Sequence, residues 1–105
     1  MINRFMKTYS VTITCDVTAK VLDHPFRYRL YVGGELFTER TWIWQGMYLE
    51  EIIPISAPAG TYKIKFETVD PENGKIKVRN YKLKGPAKMT MYEGETAVEV
   101  CNEMA

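Results

Sequence analysis

Polar and apolar residues alternate along most of this chain with a period of two, the pattern of strands buried on one face. Tyr9, Val11, Ile13, Cys15 and Val17 take one side, and Ser10, Thr12, Thr14, Asp16 and Thr18 the other. Phe26, Tyr28, Leu30 and Val32 repeat the pattern against Arg27, Arg29 and Tyr31. Gly33-Gly34 predicts a tight hairpin, since glycine accepts the positive φ that such turns need. A third strand runs from about Glu35 to Trp44, and Gln45-Gly46 breaks it. A fourth covers Tyr48 to Ile55, where Pro54 removes a ladder donor and marks an edge or bulged strand.

Tyr62, Ile64, Phe66 and Thr68 then alternate with Lys63, Lys65 and Glu67. Asp70-Pro71-Glu72-Asn73-Gly74 is a strong turn signal, read as a hairpin into the next strand. That strand carries Ile76 and Val78, then Tyr81 and Leu83, so its phase slips by one and predicts a bulge near Arg79-Asn80. Met89 and Met91 form a short strand before Glu93-Gly94, and the last strand runs from about Glu95 to Cys101. No segment shows a helical stripe with caps. The expected fold is all-β: an antiparallel two-sheet β-sandwich, jelly-roll-like, of about eight strands. Residues 1–8 read as an N-terminal arm and 9–105 as a single domain.

Composition narrows the chemistry. At 105 residues, 46% hydrophobic and 12% aromatic, the chain has material for one core without staples. The N-terminus lacks the apolar stretch of a secretory signal, and no run reaches the length of a bilayer span. A net charge of +1 argues against nucleic-acid or membrane partners. One histidine and two cysteines leave little for metal or nucleophile chemistry, so no cofactor, metal or catalytic site is expected. Cys15 and Cys101, in the first and last strands, read as two thiols acting as small hydrophobes or as a link between the chain ends.

Four features remain as candidates. His24, beside Asp23, reads as a catalytic or ligating imidazole or as a solvated loop residue. The acidic turn at 70–74 offers oxygen ligands of the kind calcium takes, or simply the residues a turn needs. Trp42 and Trp44 share one strand face with Tyr48 nearby; they form either an aromatic binding surface or part of the core, with Ile43 left outside. Finally, 8 of the 14 basic residues fall between Tyr62 and Lys88, an asymmetry hidden by the net charge. A hairpin would align Lys63 and Lys65 with Lys75 and Lys77, and Arg79 extends the row. This face serves either to dock an acidic protein surface or anionic polymer, or to protect a sheet edge. No aromatics interleave with it as nucleic-acid stacking platforms do.

Two stretches carry resemblances. Tyr28-Arg29-Leu30-Tyr31-Val32-Gly33-Gly34-Glu35-Leu36-Phe37-Thr38-Glu39-Arg40-Thr41-Trp42-Ile43-Trp44, with Tyr48-Leu49-Glu50-Glu51, is similar to small β-proteins of tailed phages, notably those infecting cyanobacteria. That resemblance implies a non-enzymatic virion component, such as a capsid decoration or a tail or fibre accessory. Such a protein is made in the host cytoplasm and contacts other virion proteins or itself. More loosely, Tyr31-Val32-Gly33-Gly34, Ala59-Gly60-Thr61-Tyr62 and Ile76 through Gly85 resemble segments of calcium-dependent xylan-binding modules. That likeness implies a carbohydrate-binding module that holds a glycan on surface aromatics. Arg79 stands where such modules carry an aspartate for calcium.

Overall fold

The computed structural model describes residues 7–21, 26–43 and 47–101. Eight strands follow in order: β1 Tyr9–Val21, β2 Arg27–Val32, β3 Glu35–Thr41, β4 Tyr48–Ala57, β5 Gly60–Thr68, β6 Gly74–Lys84, β7 Ala87–Tyr92 and β8 Glu95–Val100. They form an all-β sandwich of two antiparallel sheets, ordered β4-β1-β6 and β3-β2-β5-β8-β7. This is the expected eight-strand antiparallel sandwich; its strands divide three and five, with β2–β3 and β7–β8 as hairpins inside the larger sheet. Both turns have positive φ at their two central residues: Gly33 and Gly34 at 60° and 85°, Glu93 and Gly94 at 52° and 78°. That is the turn geometry whose twist matches the paired strands.

The inward side of each strand is the apolar phase of the sequence. Val11, Ile13, Cys15 and Val17 of β1 are buried, and their neighbours Thr12, Thr14, Asp16 and Thr18 face out. Strand β1 spans about 40 Å at the usual rise per residue. It links two packed clusters, one around Ile13, Leu30, Ile53 and Val98, the other around Val17, Phe26, Tyr28 and Trp42. Pro54 lies in β4, an edge strand, where its missing donor costs no ladder bond on the open side.

The acidic turn falls where expected, with Asn73 N–H donating to the Asp70 carbonyl at 2.9 Å. It does not make a hairpin. Strand β6 leaves the sheet of β5 and pairs with β1. Gly74, at the crossing, is buried against the Phe26 ring, and a side chain there would collide with it. No helix among the described residues is long and apolar enough to cross a membrane.

Candidate docking surface

The crossing separates the residues that the sequence places in one basic row. Lys63 and Lys65 lie on β5, on the outer face of the five-stranded sheet; Lys75, Lys77 and Arg79 lie on β6, on the outer face of the other. The correction has a plain cause: a hairpin would set like charges directly opposite, whereas the crossover puts the width of the sandwich between them.

On the five-stranded sheet the charges neutralise one another. Arg29 Nε donates to Glu39 Oε1 at 2.6 Å, and its guanidinium approaches Glu67 at 3.9 Å. Arg27 lies 3.8 Å from Glu39 and 3.6 Å from Asp70. Lys63 Nζ contacts Glu93 at 2.7 Å and Glu95 at 3.1 Å, and those hydrogen bonds raise its pKa. Lys88 meets Glu99 at 3.4 Å. Lys65 is the cation on this face without an ion pair among the described residues.

The three-stranded sheet behaves differently. Its outer face is built of three columns. Strand β6 contributes Lys75, Lys77, Arg79, Lys82 and Lys84; β1 contributes Thr12, Thr14, Asp16, Thr18 and Lys20; β4 contributes Tyr48, Glu50, Ile52 and Pro54. A bulge keeps the first column together. Thr14 pairs with Lys82 but Asp16 with Arg79, so Asn80 and Tyr81 share the place opposite Cys15. Asn80 takes a positive φ of 58° and donates from Nδ2 to Asp16 Oδ2 at 2.8 Å. The slip lets odd-numbered cations before the bulge and even-numbered ones after it point the same way. No ion pair among the described residues engages Lys20 or any of the five β6 cations. Lys20 and Lys75 even stand directly across from each other.

The aromatic candidates also part company. Trp42 is 1% exposed: its backbone N–H donates to the Phe26 carbonyl at 2.8 Å and its ring lies 6.4 Å from that of Tyr28. It therefore belongs to the core and offers no face to a sugar, the reverse of the surface reading. Ile43 is outside at 70% exposure, and Tyr48 is 61% exposed on β4. Trp44 and His24 lie outside the described residues. Cys15 and Cys101 are free thiols.

Sequence reasoning missed the one buried charge among the described residues. Glu51 is fully buried on β4, between the inward Leu49 and Ile53. Its Oε2 accepts from Tyr28 OH at 2.7 Å and from Arg40 Nε at 2.6 Å, and its Oε1 accepts from Arg40 at 2.9 Å. Tyr28 and Arg40 belong to the other sheet, so the cluster clasps the two layers. Burial, then the Glu51 carboxylate, pushes the Cys15 thiol up to about 12 and raises Tyr28 as well. With both oxygens occupied and water excluded, Glu51 is placed to hold the sandwich rather than to move a proton. The available signal was phase: Arg40 and Glu51 each occupy an apolar slot in the alternation.

A groove of about 330 Å³ lies between the β3 and β4 edges, lined by Leu36, Phe37, Ile55 and Tyr62 among others. No family model, curated protein or solved structure matches the chain.

Proposed function

We propose that this protein is a non-enzymatic accessory component of a tailed-phage particle that docks on another particle protein through its β4-β1-β6 outer face. The observation that carries the reading is the asymmetry between the outer faces: one sheet pairs its cations except Lys65, and the other leaves a column of cations with no ion pair among the described residues. Unpaired like charges repel, and an acidic partner relieves that repulsion. The exposed Tyr48 and Ile52 add apolar contact beside the column. Three strands of 13, 10 and 11 residues, at about 3.3 Å per residue and 4.8 Å per strand, offer on the order of 500 Å² to a partner, which over two sides reaches the roughly 1,000 Å² that a specific interface needs. The phage assignment is supported by the resemblance of the 28–44 segment. The alternative, a carbohydrate-binding module, needed Trp42, Trp44 and Tyr48 together; with Trp42 in the core it keeps little support.

The test is co-sedimentation of tagged protein with purified particles of the phage that encodes it. Saturable association through a particle protein is expected. Failure to associate with the particle or with any of its proteins overturns the reading.

A further inference from the structure

We infer that the partner meets this face with an extended acidic segment, carboxylates at every second residue, laid along β6. The inference rests on the docking reading above and adds the chemistry of what is docked. Three features carry it.

The first is spacing. Outward residues of a strand recur every ~6.6 Å, so Lys75, Lys77 and Arg79, then Lys82 and Lys84 beyond the bulge, make a line about 30 Å long. An extended peptide presents alternate side chains at the same interval, so cation and carboxylate stay in step over several repeats.

The second is width. Asp16 sits in the β1 column and Glu50 in the β4 column, so negative charge begins one strand away from the cations. The attractive strip is thus about one strand, or 4.8 Å, across. A helix 10–12 Å wide would bring its flanks over those carboxylates. An extended chain fits between them and the edge.

The third is the absence of stacking platforms. The outward positions of β6 are cationic apart from Asn80 at the bulge, and the aromatic of this face, Tyr48, stands on β4, two strands or about 10 Å away. Single-stranded nucleic acid is held by rings set among the cations, and a duplex would cover Asp16 and Glu50.

The proposal is tested by fluorescence anisotropy at low salt with three probes of equal charge. These are an alternating Glu-Thr peptide of about twelve residues, its block isomer with all glutamates together, and single-stranded oligothymidylate. The alternating peptide is expected to bind at least about fivefold more tightly than the block isomer. Lys75→Gln/Lys77→Gln/Lys82→Gln is expected to weaken it about tenfold, as three exposed ion pairs are lost. Lys65→Gln, on the opposite sheet, is expected to change it less than twofold. Equal binding of the two peptides, or equal losses in the two variants, overturns the proposal. So does tighter binding of oligothymidylate through the same lysines. Unchanged circular dichroism of the variants separates lost binding from lost fold. If the peptide fails while the protein still sediments with particles, the acidic-segment inference falls and the docking reading stands. If the peptide binds as expected but the protein ignores particles, the phage reading falls and the surface chemistry stands.

Discussion

The two sheets use charge in opposite ways. The five-stranded sheet pairs its charges within the fold: Arg29 with Glu39, Lys63 with Glu93 and Glu95, and Arg40 with the buried Glu51 of the facing sheet. The β6 column of the three-stranded sheet leaves its cations exposed and even sets Lys75 across from Lys20. The contrast separates charge that holds the fold from charge that is free to meet a partner. It also explains why a net charge of +1 describes neither face.

The sharpest way to break the contrast is to remove charges from both sides and compare. Arg40→Ala strands a carboxylate with no exposed surface. We expect a loss of about 3 kcal/mol in urea unfolding, the low end for a broken buried pair. The low end applies because Arg40 is itself 38% exposed, so water entering at its place solvates Glu51 in part. Lys82→Ala should stay within about 0.5 kcal/mol of the parent. Equal losses would erase the distinction between the two kinds of charge.

Alkali probes the clasp from another side. The Cys15 thiol and the Tyr81 hydroxyl are both pushed up to about 12 by burial, the thiol also by Glu51. An unfolded thiol ionises near 9, whereas the folded one keeps its proton. Stability from this group is therefore complete below pH 9 and falls as pH rises toward 12. Between about pH 9 and 10.5 the thiol contributes a loss on the order of 2 kcal/mol, and Cys15→Ala flattens that slope. A slope unaltered by the substitution contradicts the burial of the Cys15 thiol.

Smaller effects should differ in sign between the faces. Lys63→Glu sets three carboxylates together and is expected to lower Tm by a few degrees. Lys75→Glu exchanges repulsion with Lys20 for attraction and is expected to raise Tm by about a degree. Calorimetry of the two variants checks the pair, and two changes of the same sign would contradict it.

Period-two alternation carried most of the fold: the strands, the Gly33-Gly34 hairpin, edge Pro54 and the bulge at Asn80 are local signals, written in neighbouring residues. Which sheet each strand joins is not local. The 70–74 turn has the residues of a hairpin, yet what decides its path is Phe26 filling the space over Gly74 and β1 offering β6 an open edge. That choice divided the basic row. Trp42 was equally undecided from sequence, because Ile43 on the opposite strand face is apolar too; packing on Tyr28 and Val17 settles it as core. The Glu51 clasp needed two strands read together: one at a time, Arg40 and Glu51 show only as a charge in an apolar slot, and their pairing across the sheets is not local.

The most direct measurement is lysine-to-carboxylate cross-linking on assembled particles, read by mass spectrometry, since it reports both faces at once. The account predicts cross-links from Lys75, Lys77, Lys82 and Lys84 to acidic residues of a neighbouring protein, with Lys63, Lys65 and Lys88 forming few. Cross-links to a neighbour confined to Lys63, Lys65 and Lys88 would contradict it.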